Sequence, residues 1–88
     1  MAYTIPTEIF RAIDGERTKF DVSVTYDLDL YFRGTSLFEA EFVSAELEGG
    51  TDALTPDLSP AELDGLRDWL WTQDAQDTAI SIAALHYA

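Results

Sequence analysis

The chain contains no cysteine and one histidine, and only five of its 88 residues are lysine or arginine. Without cysteine, neither a disulfide framework nor a thiolate metal site is available. His86 stands near the end of the sequence with no evident serine partner, so nucleophile–base chemistry has no starting point. Phosphate-binding glycine loops are missing too. Gly49-Gly50 lacks the rest of either nucleotide fingerprint, and no helix pattern directly follows it. Asp27-Leu28-Asp29 lacks the following glycine and distal glutamate of a Ca²⁺ loop. The most apolar stretch, residues 79–85, is far too short to span a bilayer. The opening MAYTIPTEIF has no basic segment leading into an apolar run, so no secretory signal is expected. These absences point away from an enzyme, a cofactor or a metal, and toward a cytoplasmic protein that acts by binding.

What is present in excess is negative charge. Seventeen Asp and Glu against five bases give a net charge of −12. Hydrophobic residues make up 47% of the chain, which sets it among folded domains and apart from acidic disordered tails. The length suits one domain, residues 1–88, with a single modest core. Such a field repels nucleic acid and anionic membranes and attracts basic surfaces. Solubility alone would be served by roughly −2 to −8. The remainder asks for another reason.

The strongest pattern is the run KFDVSVTYDLDLYF at residues 19–32. Phe20, Val22, Val24, Tyr26, Leu28, Leu30 and Phe32 alternate with Asp21, Ser23, Thr25, Asp27, Asp29 and Tyr31. Period two means a long half-buried strand with a core face and an acidic face. Before it, residues 7–13 fit either a helix or a strand. Asp14-Gly15 favours the strand, because this dipeptide between apolar runs marks a two-residue hairpin with both turn residues at positive φ. Ile13 then faces Glu16, Ile9 faces Phe20, and Ile5 faces Val24.

After the long strand, Phe38, Ala40 and Phe42 alternate with Glu39 and Glu41. An odd-length turn with Gly34 in a left-handed conformation sets Phe38 opposite Leu30 and Phe42 opposite Tyr26. Beyond Phe42 the apolar set shifts to Val43, Ala45 and Leu47, a change of phase that predicts a β-bulge near Phe42-Val43. Ser59-Pro60-Ala61-Glu62 then carries a capping box and a proline at the first turn. The helix runs to about Trp71 with Leu63, Leu66 and Leu70 inward. Trp69 and Trp71 lie ~200° apart on it, so one of them is at least partly exposed. Residues 74–77 are expected to cap a second helix with Ile80, Ala83, Ala84 and Tyr87 inward; a fourth strand is the alternative, and alanine content favours the helix. The expected fold is α+β: a three-stranded antiparallel β-meander with one or two C-terminal helices packed on one face.

In this register Asp27 lies opposite Glu41, Asp29 opposite Glu39, and Asp21 opposite Glu8. Like charges directly opposite one another destabilise a sheet. Bases barely answer them, since Arg17 and Lys19 fall near one turn and Arg33 in the other. The plain reading is that outer sheet faces are polar in any case. The functional reading is that these carboxylates stand in for phosphates, because alternate strand positions are spaced ~6.6–7 Å. A flat sheet face also argues against acid–base catalysis, which wants a concave, partly dry site.

The pattern FDVSVTYDLDL, a glycine turn, EFVSAELEGG and then LSPAELDGLRDWL resembles small phage- and prophage-encoded proteins built as a β-meander plus helix. Some small acidic phage proteins of this kind are anti-CRISPRs or other DNA mimics that block host defence nucleases. The resemblance spans about half the chain and assigns no site residues. It implies a cytoplasmic inhibitor, acting in the bacterial host, that binds the basic surface of a nucleic-acid-binding protein or CRISPR effector complex. No direct contact with nucleic acid or membrane is expected. From the strand register, the partner-binding residues are expected to be Asp27, Asp29, Glu39 and Glu41, flanked by Asp21, Glu8 and Tyr31. The competing expectation is a phage accessory or structural protein, or a homo-oligomer, joined through exposed Trp, Leu37, Phe10 and the outer strands.

Overall fold

The long alternating run becomes the middle strand of an antiparallel sheet. The computed structural model describes residues 2–32, 36–51 and 55–85, and only the backbone of 29–32 and 36–38. Along the chain come β1 (Ala2–Ile13), β2 (Glu16–Phe32), β3 (Ser36–Leu47), α1 (Pro60–Leu70) and α2 (Gln73–Leu85). The strands lie in the order β1-β2-β3, and both helices cover one face, as the sequence pattern led us to expect. The molecule is long and narrow, 52 × 22 × 18 Å, because β2 runs through its whole length.

Asp14 and Gly15 have φ of 53° and 79°, the paired positive values that a type I′ hairpin turn needs. Ile13 pairs with Glu16, Ile9 with Phe20 and Ile5 with Val24. A Cβ on Gly15 would meet nothing within 4 Å, so any cost of a side chain there is backbone strain alone. Gly15→Ala should therefore lower stability by about 1–2 kcal/mol in urea denaturation. A neutral result would mean the turn relaxes to another type.

On the other side Leu30 pairs with Phe38 and Tyr26 with Phe42. The register shifts between Thr25 and Tyr26, leaving Val43 as the extra residue of a bulge. Its side chain is half exposed, while Ala40 before the bulge and Leu47 after it are both buried. The bulge thus keeps the apolar set of β3 on one face across the change of phase. The turn around Gly34 lies outside the described residues.

Helix α1 begins with the reciprocal capping box. The Glu62 N–H donates to Ser59 Oγ at 3.1 Å, and the Ser59 N–H donates to Glu62 Oε1 at 2.9 Å. Leu66 and Leu70 are buried with Val22 and Val24, and Leu63 and Phe20 are partly buried against them. Trp69 packs on this cluster, whereas Trp71 is 52% exposed. The side chain of Leu30, also expected in the core, is outside the described set.

Helix α2 corrects the sequence reading. Its buried residues are Ala75, Ala79 and Ala83, one i,i+4 stripe, while Ile80 is only partly buried and Ala84 is exposed. Tyr87 lies outside the described residues. Small side chains let the helix backbone approach the sheet closely, and the Tyr26 hydroxyl donates to the Ala79 carbonyl at 2.6 Å. Burial pushes the Tyr26 phenol up, so it stays a donor. The cap is also not at residues 74–77. Thr72 Oγ1 stands 3.4 Å from the Ala75 N–H, and the helix starts at Gln73.

The two helices are tied to the sheet by polar side chains as well. Gln76 donates to the carbonyls of Leu70 and Ala40 at 2.7 and 3.1 Å and accepts from the Ala40 N–H at 2.9 Å. It thereby covers the outward backbone groups of an edge strand. Arg11 lies near the Phe20 ring and meets Glu62 with two 2.8 Å contacts, from Nε and Nη2. It also donates to the carbonyls of Pro56 and Asp57. The Arg11 guanidinium holds the Glu62 carboxyl at about 2, well below its ordinary 4.5. A carboxyl held low in the folded state stabilises fully above its unfolded value and loses that contribution as pH falls through the folded one. The clasp should contribute on the order of 2 kcal/mol, allowing for partial solvent screening. That contribution should disappear between pH 4.5 and about 2. Glu62→Gln should flatten the acid limb of a stability–pH curve in that window; parallel curves would show that the clasp adds nothing.

Candidate functional site

The face of the sheet opposite the helices is polar along β2 from Arg17 to Asp27, because β2 alternates and the hairpin register is fixed at Asp14-Gly15. Odd positions of β2 and even positions of β1 fall on it, and these are largely exposed. Three acidic pairs lie across it as the alternation implied: Glu8 opposite Asp21, Asp27 opposite Glu41, and Asp29 opposite Glu39. Asp27 and Glu39 are half-buried, and Glu41, Glu8 and Asp21 are exposed. Tyr31 pairs with Leu37. The side chains of Asp29, Tyr31 and Leu37 are outside the described residues.

The bonding of Ala40 defines the geometry of the two distal pairs. Its N–H and C=O are both taken by Gln76, so they point away from β2. Leu28–Ala40 is then a non-hydrogen-bonded pair, and the flanking Asp27–Glu41 and Asp29–Glu39 are hydrogen-bonded pairs with Cα atoms ~5.5 Å apart. Among the described residues no cation pairs with Asp27 or Glu39. Arg33 is outside that set.

The Glu8–Asp21 pair is different, and here the expectation that bases barely answer the acids is corrected. Lys19 Nζ stands 3.5 Å from Glu8 Oε2 and 3.8 Å from Asp21 Oδ1. Lys19 shares the outer face with Asp21, two residues along the same strand, and reaches Glu8 diagonally across the strand boundary. All three side chains are about half exposed, and the bridge is weakly stabilising. Next to it Arg17 lies over the Phe10 ring at 3.9 Å. The face is therefore uneven: Lys19, Arg17 and an aromatic stand among the acids at the hairpin end, and Asp27, Glu39 and Glu41 stand toward the other. Lys19 is ~26 Å from Asp27 along the strand, too far to neutralise it.

Comparison with protein families, curated proteins and solved structures returned no match. The functional reading rests on the residues and their arrangement.

Among the described residues no group of three or more His, Asp or Glu is placed to hold a metal ion. No helix of the described residues is long and apolar enough to cross a membrane. His86 lies outside the described set. Sequence reasoning overlooked Lys19 as a bridge, and it overlooked Arg11. The signal for Arg11 was available: a lone arginine on the apolar face of a strand needs a carboxylate, and the capping-box glutamate is one.

Proposed function

We propose that this protein is an acidic inhibitor of the kind some phages encode, and that it acts by binding and not by catalysis. Its distal sheet face would occupy the basic, nucleic-acid-binding surface of a host defence complex in the bacterial cytoplasm. Asp27, Asp29, Glu39 and Glu41 would make the contacts, with Asp21, Glu8 and Tyr31 at the margin. The observation that carries this reading is the placement of two like-charge pairs directly across one strand boundary, at the end of the face away from Lys19 and Arg17. A fold does not need that placement, since the same acids could be spread over loops. Like charges set opposite one another on a sheet run against a local rule, and such departures are expected at functional sites.

The test is capture of bacterial lysate proteins on the immobilised chain at low and at high salt. Basic partners held by carboxylates should be retained at low salt and shed as the Debye length falls from ~10 Å to ~3 Å. Partners retained equally at both would point to the alternative, an accessory or self-associating protein. That reading has its own observation in Trp71 and Val43, each 52% exposed, and Phe10 at 44%.

A further inference from the structure

A second surface has the features of a strand-addition site. Contacts of α1 with the sheet run mainly to β3, which leaves a gap beside β1. An open cleft of about 300 Å³ fills it, lined by residues 7–10 of β1 and by Glu62, Gly65, Leu66 and Trp69 of α1. Residues 7–10 include positions from both faces of β1, so the cleft lies along the strand's edge. Its backbone is available there. The Glu48 N–H donates to the Asp21 carbonyl, which makes Val22–Leu47 a non-hydrogen-bonded pair and turns the Val22 backbone toward Thr7. By alternation, the N–H and C=O of Glu8 and Phe10 point away from β2. Pro6, at the next such position, lacks an N–H and limits the pairing on that side. The Arg11–Glu62 clasp fixes the distance between strand and helix at one end.

We propose that this edge receives an extended segment of a basic protein partner as a fourth strand. Its main chain would pair with Glu8 and Phe10. Alternate apolar side chains would enter the cleft against Ile9, Leu66 and Trp69, in the space left by the missing side chain of Gly65. The residues between them, lysine or arginine, would lie on the outer face beside Glu8, which is about half exposed and would exchange its 3.5 Å bridge to Lys19 for the incoming base. Main-chain pairing supplies the affinity in this mode of recognition, and the alternate pockets supply the selectivity. The occupant is basic because the chain carries −12 and a like-charged segment would be repelled. A second copy of this chain is disfavoured for the same reason. The site does not depend on the distal acidic face, and either surface could act without the other.

The probe is a fluorescein-labelled octapeptide alternating lysine and valine, followed by anisotropy at physiological salt. Two N-methylated versions carry the methyl groups on the amides of one edge or of the other. Only one edge of an added strand faces β1, so one version should bind about tenfold more weakly and the other nearly as well as the parent. Gly65→Leu fills the cleft where an added Cβ meets nothing within 4 Å, and should weaken the parent peptide at least about tenfold. Phe10→Pro removes an outward N–H at an edge position that tolerates proline, and should act likewise; circular dichroism checks that it folds. Equal binding of both methylated peptides would reduce the effect to charge attraction and overturn the proposal. So would unaltered binding to the Gly65→Leu protein, absence of any binding, or sedimentation showing a dimer that Phe10→Pro dissociates.

Discussion

Leu70→Ala should lower the free energy of unfolding by about 2–5 kcal/mol. Leu70 is 1% exposed, in the last turn of α1, and belongs to one core cluster with Val22 and Val24. Its carbonyl also accepts from Gln76, so the residue sits where both helices meet the sheet. Truncation removes the transfer contribution of the side chain and leaves a cavity that a close-packed interior fills only in part. The whole domain is worth about 4–13 kcal/mol at this length, so the variant should lie near the edge of folding. Trp71→Ala, one residue on and half exposed, should cost less than about 1 kcal/mol. The urea midpoint should move while the slope stays constant, which separates lost stability from a changed denatured state. Equal losses for Leu70 and Trp71 would contradict the helix orientation described above.

The parts of this fold that were legible in the sequence are those set by local chemistry. Asp14-Gly15 determined the hairpin register, and with it every cross-strand pair of β1 and β2. The phase change after Phe42 announced the bulge, and Ser59 with Glu62 announced the first helix. Because strand register is local, the opposed acids were legible too. What escaped depended on residues far apart in sequence. Ile80 is more hydrophobic than Ala79, yet the alanine stripe faces the sheet because only small side chains allow the approach that Tyr26 bridges. Arg11 and Glu62 are 51 positions apart, so the sequence shows that Arg11 needs a carboxylate, and the folded chain shows which of the seventeen it meets. Lys19 is the local exception: its nearness to a turn matters less than its parity, which puts it on the face of Asp21 and within reach of Glu8. Gly65 was the remaining clue. A glycine inside a helix is unfavourable by roughly 0.8–1 kcal/mol relative to alanine, and here it opens the cleft beside β1.

Neutralising the distal acids should move stability and binding in opposite directions. The variant Asp27→Asn, Asp29→Asn, Glu39→Gln, Glu41→Gln preserves shape and removes the charges of two pairs that lie opposite each other in the register. Stability should stay level or rise by a few tenths of a kcal/mol per pair. Association with a basic partner should slow by about ten- to a thousandfold at low salt, with a shallower salt dependence, because steering charges act on the on-rate. Four charges fewer also change the net value from −12 to −8, so total charge must be separated from position. The control neutralises Glu16, Glu48, Asp64 and Asp68, which are exposed and lie away from the distal pairs, and it reaches the same −8. If the two variants bind alike, the interaction reads net charge and the sheet face has no special role. If the distal variant binds as the parent does, carboxylate mimicry fails and the edge cleft of β1 becomes the surface to pursue. Loss of binding in the distal variant alone, with its unfolding midpoint intact, is the outcome that the like-charge pairing leads us to expect.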